Sequence, residues 1–179
     1  MVTYFLADGF EEAEALVPVD MLKRCGIEVK TVSIMEEQLV TGTHGIKVMA
    51  DEHYKTFAPS CVDAVILPGG LPGADYLENS DYVKEAVLKA NAEGKLICAI
   101  CAAPKVLGKH GILEGKKAVC YPGFEDKLLG AEVSDDGVMV DGNIITSRAA
   151  GKCFDFAFEI AKALGKGEEA EKVKQSILY

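Results

Sequence analysis

Cys101 is where this sequence most openly offers chemistry. It closes the run Lys95-Leu96-Ile97-Cys98-Ala99-Ile100 and is followed by Ala102-Ala103-Pro104. Leu96 to Ile100 has the length of one buried parallel strand, and Pro104 suits the first turn of a helix continuing through His110. A strand turning sharply into a helix with a nucleophile at the turn is a nucleophile elbow, here with sulfur in place of oxygen. A thiol so placed lies beside backbone N–H groups, which favour the thiolate and lower its pKa. Ala102 and Ala103 are small enough to let a substrate approach the backbone. A free cysteine is also a common small core hydrophobe, and the local pattern alone leaves both readings open.

The elements that must position Cys101 follow from hydrophobic patterning. Val2 to Ala7 is a continuous apolar run, as expected of a strand covered on both faces. Asp8-Gly9 breaks it, and Glu11, Glu12 and Glu14 then read as acidic residues of a first helical turn. The main helix is expected to restart at Pro18 and stop at Gly26. Ile27 to Ile34 is a second strand, and Leu39-Val40 and Ile46 to Val48 form small strands around Gly42-Thr43-His44-Gly45. Asp63 to Leu67 is a further buried strand, running into Pro68-Gly69-Gly70-Leu71-Pro72-Gly73 and one helix over Tyr76 to Ala92. The glycine-rich loop lacks both the phosphate-loop ending and the dinucleotide fingerprint. Its glycines instead suit a loop whose N–H groups face a site.

Beyond the elbow helix, Lys117 to Cys120 reads as a short strand ending in Tyr121-Pro122-Gly123. Residues 131–134, 138–140 and 143–147 read as strands, with Asp141-Gly142 a strong hairpin signal. Helices over 153–164 and Glu168 to Ile177 complete the chain. Strands alternating with helices predict an α/β fold with a mostly parallel sheet and helices on both faces. Ligands in such folds gather at strand carboxyl ends. The loop after Ala7, the loop after Leu67 and Cys101 all lie there, and this convergence strengthens the case for a Cys101 site.

The 179 residues suit one domain over 1–179, with 49% hydrophobic and 26% charged residues. A net charge of −9 argues against nucleic acid or an anionic membrane as partner. With no leader-like or membrane-spanning run, a cytoplasmic address is expected. The cysteines Cys25, Cys61, Cys98, Cys101, Cys120 and Cys153 are spread through the chain, which favours reduced thiols. Cys98-Ala-Ile-Cys101 matches C-x-x-C, but an extended backbone separates the two Cα atoms by roughly 10 Å. That is beyond the ~7 Å reach of a disulfide. His44, His53 and His110 show no zinc-ligand spacing with the cysteines.

Four segments carry a family resemblance: Phe10-Glu-Glu-Ala-Glu-Ala-Leu-Val-Pro-Val-Asp20, Leu67-Pro-Gly-Gly70, Ala99-Ile-Cys-Ala102 and Ile145-Thr-Ser-Arg148. In this order they resemble the ThiJ/PfpI superfamily, in the branch of the parkinsonism-associated deglycase and bacterial ThiJ-like proteins. The resemblance implies a flavodoxin-like three-layer sandwich, a homodimer and no cofactor or metal. It places the nucleophile at Cys101 and its hydrogen-bonded carboxylate at Glu14. The oxyanion-binding N–H groups fall at Gly70 and Ala102.

Implied activities are cofactor-free conversion of methylglyoxal to lactate, deglycation, and redox-linked protection or chaperoning in which Cys101 is oxidised to a sulfinate. A carboxylate held against a thiolate shares one proton with it, so the glutamate pKa is expected to rise while the cysteine stays anionic.

Departures from the family pattern are also legible. Ala102 stands where the protease-like branch has histidine, which argues against a Cys-His peptidase. Tyr121 stands where histidine is frequent, Ala103 replaces a common glycine, and Ala149-Ala150-Gly151-Lys152 replaces Gly-Pro-Gly-Thr. His44 falls where a partner-subunit arginine can approach the site.

Overall fold

The structure is a computed structural model that describes residues 1–58 and 62–179. Cys61 lies outside the described residues. A seven-stranded sheet forms the middle layer. Its strands are β1 (Val2–Leu6), β2 (Val29–Ser33), β5 (Glu52–His53), β6 (Ala64–Leu67), β7 (Leu96–Ile100), β10 (Val138–Asp141) and β11 (Ile144–Ser147). Their order is β10-β11-β7-β6-β1-β2-β5. Every pairing is parallel except the β10–β11 hairpin, which turns at the Asp141-Gly142 signal. Two further strands, β3 (Leu39–Thr41) and β4 (Lys47–Met49), form a separate antiparallel hairpin.

Alternation along the buried strands decides which helices cover which face. Tyr4, Leu6, Ile66, Cys98 and Ile100 point to one side. There they meet α1 (Glu12–Arg24), α5 (Cys153–Ala163) and α6 (Gly167–Ser176). Phe5, Val65, Leu67, Ile97 and Ala99 point to the other side. They pack under α2 (Gly73–Asn79), α3 (Asp81–Ala92) and α4 (Pro104–Lys109). This is the three-layer flavodoxin-like sandwich. Among the described residues no helix is long and apolar enough to cross a membrane.

Two local expectations are corrected. The first helix does not restart at Pro18; it runs through it, from Glu12 to Arg24. The helix expected over Tyr76 to Ala92 is two, because Ser80 leaves the helical conformation and its hydroxyl accepts the Val83 N–H at 3.3 Å. A serine cap there starts α3 afresh. The strand expected within residues 131–134 is present and lies apart from the β10–β11 hairpin. It is β9 (Glu132–Val133), which pairs in parallel with β8 (Lys117–Ala118) as a separate two-stranded ribbon. The short edge strand β5 was not anticipated; at two residues it is too brief to show a period.

The order β2-β1-β6-β7 reverses between β1 and β6, since the chain leaves β1 in one direction and returns to build the sheet in the other. Above such a reversal the loops diverge and open a crevice at the strand carboxyl ends. Here the segments after β1, β6 and β7 come together at that end of the sheet.

Candidate active site

Cys101 follows β7 directly and sits in the left-handed region, at φ +64°. A non-glycine residue there is strained by about 1–3 kcal/mol and persists only when its surroundings fix it. Its own N–H donates to the Ser147 carbonyl and its carbonyl accepts the Tyr121 N–H, both at 2.8 Å. The turn closes with Ala103 N–H donating to the Ile100 carbonyl at 3.0 Å. Pro104 opens α4 as its spacing predicts. The elbow is therefore clamped from two segments distant in sequence, and closed by a turn of its own.

Glu14 arrives from the first turn of α1 with only 1% of its surface exposed. Its Oε2 accepts the Gly69 N–H at 3.0 Å and stands beside the Cys101 side chain, since one Cβ placed at Gly69 would touch both; the Ala150 N–H is near enough to favour its charged form. Gly69 must be glycine, because a Cβ there would lie 2.5 Å from Glu14 Oε2 and 2.7 Å from Cys101 Cβ. Gly70, at φ +88°, and Ala102 both bring backbone N–H groups near enough to Cys101 to favour its thiolate. Cys101, Glu14, Gly70 and Ala102, the four residues expected at the site, are thus brought together.

The electrostatics correct one expectation. Burial raises Glu14 to about 7, against partial relief from Cys101 and the Gly69 N–H. The thiol is also pushed up, first by burial and then by the Glu14 carboxylate, with the Ala102 and Gly70 N–H groups pulling the other way. The thiolate expected from a helix start is not favoured in the free site. The reason is that burial and the neighbouring Glu14 carboxylate outweigh what the Ala102 and Gly70 N–H groups offer the charge. Above about pH 7 the pair carries one proton between two groups that each resist ionising beside the other.

The remaining candidates are placed plainly. Glu12 turns away from Cys101 and holds the hairpin loop. One carboxylate oxygen accepts the His44 N–H at 2.7 Å, and the other lies 2.9 Å from His44 Nδ1. Glu11 lies 3.8 Å from the same imidazole nitrogen. His44 is therefore engaged by its own chain's glutamates and is raised by its hydrogen bond to Glu12. Glu11, Glu12 and His44 converge closely enough to hold a cation, but Glu12 and His44 already satisfy one another.

Tyr121 contributes its backbone to the elbow, while 47% of its surface stays exposed. Ala150, in the segment that departs from the family pattern, has its N–H near enough to Glu14 to favour the carboxylate. Cys25, Cys98, Cys101, Cys120 and Cys153 are free thiols, and Cys98 is fully buried against the α1–α5 side of the sheet. The Ser147 and Tyr121 anchors escaped sequence reading because they are main-chain groups, which any residue type supplies.

A model of the DJ-1/PfpI family matches residues 1–163. The chain belongs to the DJ-1/PfpI family. The fly protein dj-1beta (Drosophila melanogaster) is 36% identical over 175 residues, covering 97% of this chain and 94% of that protein. A deglycase of Pyrococcus abyssi is 34% identical over 160 residues, covering 88% of this chain and 95% of that protein. DJ-1 homolog B of Arabidopsis thaliana is 39% identical over 94% of this chain, which spans only 39% of that longer protein. Among solved structures, oxidized DJ-1 of Toxoplasma gondii superposes with a TM-score of 0.95 at 35% identity, covering 99% of this chain and 97% of that one. Membership of the DJ-1/PfpI family accounts for the order of the four motifs and for the flavodoxin-like fold.

Proposed function

We propose that this chain is a cysteine-dependent enzyme acting on small reactive carbonyls without a cofactor, converting 2-oxoaldehydes such as methylglyoxal to hydroxy acids. The observation that carries this reading is the buried Glu14 carboxyl set against the Cys101 side chain, with the Gly70 and Ala102 N–H groups near the sulfur. The deglycase name of the Pyrococcus relative supports carbonyl chemistry of the same class.

The chain's own groups supply each step. Glu14 takes the thiol proton as Cys101 sulfur bonds to the aldehyde carbon, so no free thiolate need persist in a buried site. The C=O pair becomes an oxyanion that the Gly70 and Ala102 N–H groups receive, an arrangement worth about 3 kcal/mol per donor in acyl-transfer sites. That oxyanion then takes the proton from Glu14, giving a neutral hemithioacetal. The carboxylate, free again, removes hydrogen from the former aldehyde carbon and returns it to the adjacent carbon, while the hydroxyl proton moves to the neighbouring oxygen. The first carbon is thereby oxidised and the second reduced, leaving a thioester. Water cleaves the thioester, releasing the hydroxy acid and the thiol, so the net reaction is 2-oxoaldehyde plus water giving 2-hydroxy acid.

Lactate formation from methylglyoxal without glutathione tests this. Wild type should produce lactate, and Cys101→Ala should reduce production to background. Equal production by both would overturn the assignment.

A second reading has its own support, since the Toxoplasma neighbour is described as oxidized. In it, two equivalents of peroxide convert Cys101 to a sulfinate held by Glu14 and the same N–H groups, releasing two waters. No lactate from wild type, with selective gain of two oxygens at Cys101 by mass spectrometry, would favour this redox role.

We also propose a homodimer, with the β3–β4 hairpin in the contact. Leu39 and Met49 pair across that hairpin, and Ile46 lies at its turn. All three are exposed, Met49 by 64%. Apolar side chains grouped in this way mark an association surface. Sedimentation equilibrium should show a dimer for wild type and a shift toward monomer for Met49→Glu.

A further inference from the structure

A cavity of about 480 Å³ lies on the sheet face away from α1, near the amino ends of β1 and β6 and remote from Cys101. Its floor is Thr3, Phe5 and Val65, and α3 roofs it with Tyr82, Ala86 and Ala90. The cause is legible in the side chains. Ala86 and Ala90, one helical turn apart, face the short Thr3, so neither layer fills the gap. Phe5 and Tyr82 meet edge to face at 5.7 Å and form an aromatic wall. The Tyr82 hydroxyl donates to the Phe57 carbonyl at 2.7 Å and ties the neighbouring loop to α3.

Thr3 is the polar residue that β1 presents on this face. It is 2% exposed, and its Oγ1 has no hydrogen-bond partner among the described residues. A buried hydroxyl without a partner is costly, and this one lines an otherwise largely apolar chamber of ligand-binding size. Charge at the mouth is balanced: Glu85 and Glu93 stand with Lys89 and Lys95, so neither sign of ion is favoured.

We propose that this cavity binds an uncharged, flat, largely apolar molecule with one hydroxyl or carbonyl oxygen, which completes the Thr3 hydrogen bond. The site is independent of the carbonyl chemistry at Cys101, because it occupies the other face and the other end of the sheet.

The test is titration of isotope-labelled full-length protein with 2-naphthol and with naphthalene, which lacks the hydroxyl, followed by NMR. 2-Naphthol should shift the Thr3, Val65, Ala86 and Ala90 methyl signals saturably at millimolar concentration or below. Thr3→Val keeps the side-chain shape and should weaken 2-naphthol about fivefold, the value of one net hydrogen bond, while leaving naphthalene unchanged. Ala86→Leu should fill the cavity and abolish both. Cys101→Ala should bind as wild type does, which separates this site from the proposed active site. Unsaturable or scattered shifts, or equal 2-naphthol affinity for wild type and Thr3→Val, would overturn the proposal. The Thr3→Val comparison decides the matter if Ala86→Leu does not fold.

Discussion

The Tyr4 hydroxyl donates to the main-chain carbonyl of Glu14, the acceptor that Pro18 leaves without its helical partner. Proline has no N–H to return to the residue four positions earlier, and in a helix interior this normally breaks or kinks the chain. Here the orphan carbonyl is buried and a side chain from the neighbouring strand supplies the missing donor. The helix continues, and the residue whose backbone is pinned carries the buried carboxyl beside Cys101.

Tyr4→Phe should therefore destabilise the protein by about 1–2 kcal/mol, since it leaves a buried carbonyl unsatisfied with little loss of apolar burial. The cost should shrink when residue 18 can donate. A double-mutant cycle with Pro18→Ala, read by urea denaturation, should show coupling of about 1 kcal/mol. An equal Tyr4→Phe cost in both backgrounds would separate the two features.

The raised Glu14 pKa makes stability pH-dependent with a definite sign. The folded protein keeps this proton up to about 7, whereas an unfolded glutamate releases it near its ordinary pKa of about 4.3. The native state thus binds more protons across that window, so unfolding free energy falls as pH rises through it, by about 3 kcal/mol from this group. Glu14→Gln should match wild type near pH 4 and exceed its stability by about 2–3 kcal/mol at pH 8. Denaturation curves that stay parallel from pH 4 to 8 would contradict the shift.

Turnover should run in the opposite sense. The form with one proton on the pair is the one in which Glu14 can accept the thiol proton, so kcat/KM for methylglyoxal should rise through about pH 7 and level off above it. Glu14→Gln should lower turnover by about 100-fold or more and abolish the inflection. A mutant with wild-type turnover and the same pH profile would remove Glu14 from the chemistry while leaving Cys101 in place.

The sequence discloses the site unevenly, for physical reasons. Leu96 to Ile100 could be recognised as a strand and Pro104 as a helix start, because both signals are local; the turn at Cys101 followed from them. Glu14 could not be told from Glu11 and Glu12 by helical period, since all three fall within four positions; the family resemblance singled it out. Pro18 misled because its repair comes from Tyr4, fourteen residues away and in another element. The Ser80 cap was the reverse case: a local signal was present and outweighed by the long helical pattern around it. The clamps on Cys101 from Ser147 and Tyr121 leave no trace in residue type, because only their backbones are used.

Gly69 offers the sharpest steric test of the site. It is not in the left-handed region, so alanine suits its backbone and any effect arises from the added methyl alone. That methyl would meet Glu14 Oε2 at 2.5 Å, Cys101 Cβ at 2.7 Å and the Ile100 carbonyl at 3.0 Å. All three belong to the clamped elbow or its partner, so relief requires Glu14 and Cys101 to move apart. Gly69→Ala should cost about 1–3 kcal/mol of stability and at least about tenfold in methylglyoxal turnover, as expected when reacting groups are misplaced by an ångström. Gly167→Ala is the matched control, because its methyl would meet only Lys162 Cγ at 3.8 Å, and it should leave both quantities unchanged. Wild-type turnover in Gly69→Ala would mean that the Cys101–Glu14 contact is not needed for reaction, and the proton transfer assigned to it would have to be abandoned.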